Sequence, residues 1–262
     1  MGSPKFALPV LKNLIDSHHN LVGIYTQPDK PAGRGRQMKS PEVKLFAKDL
    51  GFDVHQPPSL KDSKIYEEIS QLKPDLIIVA AYGKLIPKEL LSIPKFGFWN
   101  LHPSILPEYR GPSPVISAIL DGKASTGVTL MQMDEGLDTG PIIEQEQFEL
   151  NTTDSAEEIT GKLFVIGGEI LMKNIPNLIS GSVTQKPQST DLATITNLVK
   201  KSDGLINWND TAEHIIRMER AYRNWPGIYT KWKNKTIKIL ELKVNKLDES
   251  CEAPGKVKKL ED

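Results

Sequence analysis

Apolar residues recur at Ala7, Val10, Leu11, Leu14 and Ile15, a spacing of three and four that predicts a helix over residues 4–15 with one buried face. Residues 21–26 read as a strand. Ser40 followed by Pro41 predicts a helix start, an N-cap with a first-turn proline. Val43, Phe46, Ala47 and Leu50 supply its stripe, and Gly51 its stop. A short strand at 52–55 follows, then a helix capped by Asp62 that carries Ile65, Ile69 and Leu72. Residues 76–81 form a continuous apolar run, as expected of a parallel strand covered on both faces. Further on, a strand is predicted at 96–101, a short helix at 114–120 ended by Gly122, and a strand pair beginning at Val128, Leu130 and Gln132 and returning through 142–148. A long helix runs from a cap at Asp154 to Gly181, with Ile159, Leu163, Ile166, Ile170 and Leu171 as its apolar positions.

Strands alternating with helices imply an α/β fold with a mostly parallel sheet, which holds ligands at the carboxyl ends of its strands. Residues 182–196 have few periodic apolar positions and read as a connector. After them come a helix at 211–222 and strands at 228–232 and 236–244, separated by Asn234-Lys235, which together resemble a small β-rich domain. Both ends read as incomplete: the first helix is expected to follow a strand, yet the chain starts Met1-Gly2-Ser3-Pro4, and Gly255-Lys256-Val257 reads as a strand just begun.

Composition narrows the class. Hydrophobic residues make up 39% and charged residues 25%, which excludes a disordered chain. No apolar run approaches the roughly 20 residues of a membrane span, so no membrane partner is expected. A single cysteine, Cys251, excludes a disulfide framework and a cysteine-rich metal site; a reducing cytoplasm or organellar matrix is the expected compartment. No cluster has metal-ligand spacing, and no metal is expected. Net charge is zero, but residues 1–180 carry 18 basic and 22 acidic side chains against 15 and 11 in the remainder. Such asymmetry is compatible with nucleic-acid contact by the basic part and with ordinary scatter.

Three segments could carry chemistry. Trp99-Asn100-Leu101-His102-Pro103-Ser104 is polar at the end of an apolar strand, and alternation puts Asn100 and His102 on one side. Asparagine can donate to a developing oxyanion and histidine can carry a proton near neutral pH; an isolated Asn-x-His equally caps a strand end. Gly136-Leu137-Asp138-Thr139-Gly140 presents one carboxylate on a glycine-flanked turn, and is also ordinary turn composition. The loop at 28–44 is long for an α/β connection and holds Lys30, Arg34, Arg36, Lys39 and Lys44, an arm suited to a phosphate backbone or simply to solvent. It lacks the ending of a P-loop.

Taken together, these segments carry a resemblance. Asn100-x-His102 followed by Ser104-Ile105-Leu106-Pro107-Glu108-Tyr109-Arg110-Gly111, and the later run from Thr126 through Gly140, are similar to the two signatures of the folate-dependent formyltransferases. Thr26 through Arg36, and Arg220-Ala221-Tyr222-Arg223-Asn224-Trp225-Pro226, resemble the branch that acts on methionyl-tRNA. The resemblance implies a Rossmann-like formyltransferase domain at 1–181, a linker at 182–200, and a partial, truncated OB-like β-barrel that binds tRNA at 201–262. It implies formyl transfer from 10-formyltetrahydrofolate to initiator methionyl-tRNA, with no obligate protein partner and a monomeric enzyme. Asn100, His102 and Asp138 would be catalytic. Tyr82, Gly83, Lys84, Leu85, Ile86, Ser104, Ile105, Leu106, Pro107, Gly136 and Leu137 would line the folate pocket. Arg34, Arg36, Lys39 and Lys30 would meet tRNA. Two other readings remain open: a related enzyme acting on glycinamide ribonucleotide or an amino sugar nucleotide, and a folate- or RNA-binding remnant without turnover.

Overall fold

The computed structural model describes residues 1–32, 35, 37–243 and 253–256. The first periodic segment folds as a 3-10 turn and then α1 (Leu8–Ile15), burying Ala7, Val10 and Leu11. β1 (Ile24–Tyr25) follows. β2 (Lys30–Ala32) and β3 (Gln37–Lys39) form an antiparallel ribbon, so the basic arm has its own strand pairing. After α2 (Glu42–Asp49), β4 (Val54–His55) pairs in parallel with β1. Ser40 does not cap α2: its hydroxyl donates to Asp29 Oδ2 at 2.9 Å.

Next come α3 (Ser63–Gln71), capped as expected by Asp62, β5 (Ile77–Ala80) and α4 (Lys88–Leu91). β6 (Phe98–His102), α5 (Pro114–Leu120), β7 (Ser125–Gln132) and β8 (Ile142–Glu149) complete a four-stranded sheet in the order β5-β6-β7-β8. β5 and β6 are parallel; β6 with β7, joined through α5, and β7 with β8, joined by a loop, form antiparallel pairs. The ladder of β1 is shorter than its apolar pattern, and a cavity of about 710 Å³ beside it is lined by Met1, Gly2, Ile24, Tyr25, Ile77 and Ile78 among others. Gly2 spans from β1 to β5 there, its N–H donating to Tyr25 O at 3.0 Å while it bridges in parallel to Ala80.

α6 (Ala156–Ser180) lies across the sheet. Its cap is Ser155, one residue later than expected. Ser155 Oγ accepts from Glu158 N, and Glu158 Oε2 accepts from Ser155 N at 2.8 Å. Reciprocal capping needs a carboxylate three residues downstream, which Ser155 has; Asp154 pairs with Lys162 instead. Ile159, Leu163 and Leu171 are fully buried against Leu101, Val128 and Leu130, each worth roughly 1.5–3 kcal/mol of apolar burial.

Residues 182–200 are not a bare connector. Lys186 pairs with Ile142, and Ile195 with Arg110, so this segment runs back along the sheet. Beyond it, α7 (Ala212–Tyr222) packs on α5, and Arg217 Nε donates to Leu120 O at 3.0 Å. β9 (Ile228–Trp232) and β10 (Lys235–Ile239) form a hairpin turning at Lys233-Asn234, whose φ values of 45° and 61° are those of a two-residue turn matched to strand twist. Val244, the end of the expected second strand, lies outside the described residues, as does Val257. Among the described residues no helix is long and apolar enough to cross a membrane.

Candidate active site

β6 fixes the site. Its five residues are all buried, and their alternation sends Trp99 and Leu101 to one face and Asn100 and His102 to the other. Trp99 Nε1 is satisfied by Gln132 Oε1 at 2.9 Å, which locks the strand against β7. Asn100 and His102 retain 9% and 4% of their surface, so neither is a solvated strand-end cap.

The chain then turns through 103–113, and Thr129 organises that turn. Its hydroxyl donates to Ser104 O at 2.6 Å and accepts from Leu106 N and from Gln145 Nε2. Tyr109, at φ +59°, directs its carbonyl to His102 Nε2 at 2.9 Å. A carbonyl only accepts, so Nε2 carries a proton and Nδ1 is the nitrogen left facing Asp138 Oδ2, 3.6 Å away. Asp138 itself has φ +52°. Its Oδ2 accepts from Gly111 N at 2.8 Å, and its Oδ1 stands 3.4 Å from Asn100 Nδ2. Gly111 has φ +101°, and a Cβ there would lie 2.9 Å from Thr196 O, so only glycine fits where it meets Asp138. The three predicted catalytic side chains therefore converge at the carboxyl end of β6: two buried hydrogen-bond donors and one half-buried carboxylate.

The remaining predicted residues divide. Residues 82–86 leave the end of β5 beside residues 103–107 leaving the end of β6, because Ala80 pairs with Leu101. Tyr82 is buried, which pushes its hydroxyl up to about 12, and Gln27 Nε2 donates to the carbonyls of Tyr82 and Gly83. Lys84 Nζ donates to Pro57 O and Pro58 O at 2.7 and 2.9 Å, and burial lowers its pKa. Leu85 is exposed and Ile86 half-buried; Ser104 and Leu106 are buried, Ile105 and Pro107 half-buried. Gly136 and Leu137 are exposed on the Asp138 loop, which Asp134 Oδ1 closes by accepting from Gly136 N and Thr139 Oγ1.

In the basic ribbon Lys30 lies opposite Lys39. Lys30 Nζ donates to Gln27 Oε1, and Lys39 pairs with Glu42 at 2.8 Å, which raises the lysine and lowers the glutamate. Arg34 and Arg36 lie outside the described residues. The base of the ribbon is tied at Asp29, where hydrogen bonds from Lys44, Gln56 and Ser40 hold the carboxyl at about 2.

Several contributors are not evident from sequence patterning. Thr129 and Gln145 face each other across β7 and β8, and a threonine within the buried run of β7 was the available signal. Gly111 and Tyr109 act through backbone, and Thr196 through its N–H and its hydroxyl; none carries such a signal. Among the described residues no group of three His, Cys, Asp or Glu could hold a metal ion.

A buried Asn–His pair facing a half-buried aspartate stands at the carboxyl edge of an α/β sheet, followed by a small helix-and-hairpin half. Comparison with known proteins makes this specific. The chain belongs to the formyl transferase family: the family's Formyl transferase model matches residues 1–175, and its Formyl transferase, C-terminal domain model matches residues 198–262. It is 43% identical over 257 residues to the methionyl-tRNA formyltransferase of Chloroflexus aurantiacus, covering 98% of this chain and 83% of that one. Identity to the methionyl-tRNA formyltransferase of Thermodesulfovibrio yellowstonii is 42%, over 97% of this chain and 81% of the relative. The fold matches an N-formyltransferase from Helicobacter canadensis solved with folinic acid and dTDP-3-aminofucose, at a TM-score of 0.69 and 22% identity, covering 91% of this chain and 84% of that one.

Proposed function

We propose that this protein transfers the formyl group of 10-formyltetrahydrofolate to the free amino group of initiator methionyl-tRNA. The observation that carries the reading is the convergence of Asn100, His102 and Asp138, with His102 Nδ1 turned to Asp138 by the Tyr109 carbonyl. Likeness to methionyl-tRNA formyltransferases over nearly the whole chain supports the acceptor.

The donor fits residues at the carboxyl ends of two paired parallel strands, where open α/β sheets hold ligands. Tyr82, Gly83, Lys84, Leu85 and Ile86 supply one wall. Ser104, Ile105, Leu106 and Pro107 supply another, and Gly136 with Leu137 the side nearest Asp138. When bound, the folate supplies a formyl carbon for the methionyl amine to attack. Asn100 has a second amide proton to donate to the oxygen that gains negative charge, and His102 donates from Nδ1 when that nitrogen is protonated. One such donor is typically worth about 2.7–4 kcal/mol in the transition state. Asp138, acting through water, takes the proton that the amine loses and returns one to the departing folate nitrogen. One carbon–nitrogen bond forms and one breaks, and the enzyme forms no covalent bond. Lys30, Arg34, Arg36 and Lys39 meet the acceptor's phosphates, with the basic second half as a further contact.

The variant Asp138→Asn tests this assignment. Turnover should fall by at least about 100-fold while folate binding persists. Near-normal turnover would remove Asp138 from the mechanism.

A further inference from the structure

The segment between the two halves reaches directly into the site. Lys186 and Ile142 exchange two backbone hydrogen bonds of 2.8 Å. Further along, Arg110 N donates to Thr194 O at 2.9 Å and Thr196 N donates to Arg110 O at 2.7 Å. Gln188 sits between these anchors, and its amide is used at both ends. Nε2 donates to Asp138 O at 2.9 Å and to Gly140 O at 2.7 Å. Oε1 accepts from Arg110 Nε at 3.0 Å and from Arg110 Nη2 at 2.8 Å. The two amide protons and the oxygen are thus all engaged. Arg110 is only 7% exposed, and no ion pair of the described residues includes it; the Gln188 oxygen is the acceptor to which two of its three guanidinium nitrogens, Nε and Nη2, turn.

We infer that Gln188 is a positioning residue, a clamp that holds the backbone of Asp138 and Gly140 against Arg110 and thereby aims the Asp138 carboxylate. Asp138 needs such a clamp, because its φ of +52° is one that a non-glycine residue holds only when its surroundings impose it. The clamp grips the peptide of Asp138, while Gly111 N, the neighbour of Arg110, grips its carboxylate. Both contacts therefore return to the same turn. An amide is the right group for the position. It must accept from a cation on one side and donate to two carbonyls on the other, which neither a carboxylate nor an ammonium can do. The inference rests on the catalytic role of Asp138 proposed above.

The test measures turnover, donor KM and thermal stability in four variants of the full chain: Gln188→Leu, Gln188→Glu, Asp138→Asn, and Gln188→Leu combined with Asp138→Asn. Misplacing a reacting group by about 1 Å costs on the order of 100-fold in rate, so Gln188→Leu should lower kcat by about 10- to 100-fold with KM little changed. Gln188→Glu still accepts from Arg110, and so should stay folded, yet cannot donate to the two carbonyls; its kcat should fall as far. In the Asp138→Asn background, Gln188→Leu should cause little further loss, because the group it aims is already gone. Equal fold-losses in the two backgrounds, or a Gln188→Glu enzyme with normal kcat, overturn the clamp. If Asp138→Asn alone turns over normally, the catalytic assignment itself fails, and that result is distinct from either of these.

Discussion

Replacing Gly111 by alanine should damage both stability and the site, and the structure sets the size of the effect. At φ +101° an alanine is strained by about 1–3 kcal/mol. Its methyl group would lie 2.9 Å from Thr196 O and 3.0 Å from Thr196 Oγ1, so Thr196 must move. That residue is tied by three hydrogen bonds: its N and Oγ1 both donate to Arg110 O, and its Oγ1 accepts from Ser113 N. Weakening even one such bond costs roughly 1 kcal/mol. The sum is about 3 kcal/mol, which for a domain of this size lowers Tm by roughly 6–12 °C. Scanning calorimetry or far-UV melting reads this directly. The same substitution moves the N–H that holds Asp138 Oδ2, so kcat of whatever folded enzyme remains should fall more than KM rises. An alanine variant with unchanged Tm would show that the turn accepts a side chain, and the close approach of Gly111 to Thr196 would be refuted.

Other expectations follow from single contacts. Ser155→Ala removes a reciprocal cap and should cost about 1 kcal/mol, whereas Asp154→Ala breaks an exposed ion pair with Lys162 and a 3.3 Å hydrogen bond from Asn151 Nδ2 and should cost less; melting curves in the reverse order would return the cap to Asp154. Asp29 is held at about 2, below its ordinary 3.8, so its contribution to stability is present above the higher value and lost as pH falls through the lower. The Tm difference between the protein and its Asp29→Asn variant should accordingly shrink as pH falls from about 6 toward 2, and a pH-independent difference would contradict the anchoring of the ribbon. Arg34→Ala should weaken tRNA binding and reduce the slope of log K against log salt by about 0.7–0.9, with folate binding untouched; an unchanged slope would mean that this residue does not meet phosphate.

The parts of the fold that the sequence made legible are those where one side-chain pattern maps to one environment. The alternation in β6 separates Trp99 and Leu101 from Asn100 and His102, and the stripe of α6 names the residues that cover the sheet. Local rules with two candidates were less decisive. Asp154 and Ser155 are both good caps, and only the position of Glu158 selects between them. β1 came out shorter than its apolar run because a ladder needs backbone partners, which an apolar period does not record. The segment at 182–200 reads as a connector, and its pairing was the least legible part of the chain. It is held by backbone pairing and by amide and hydroxyl groups of Gln188, Thr194 and Thr196, none of which leaves an apolar period. The site showed the same division: Asn100, His102 and Asp138 were visible as residue types in order, while Gly111, Tyr109 and Thr129, which orient them, act through backbone geometry or a single buried hydroxyl.

The central claim is tested most directly by following release of tetrahydrofolate from 10-formyltetrahydrofolate with and without methionine-charged initiator tRNA, together with the formyl content of the tRNA. The account predicts release that depends on the charged tRNA, matched by an equal amount of formylmethionyl-tRNA. Release with an amino sugar nucleotide or glycinamide ribonucleotide and none with charged tRNA would contradict the acceptor, and no release with any of them would contradict the enzyme.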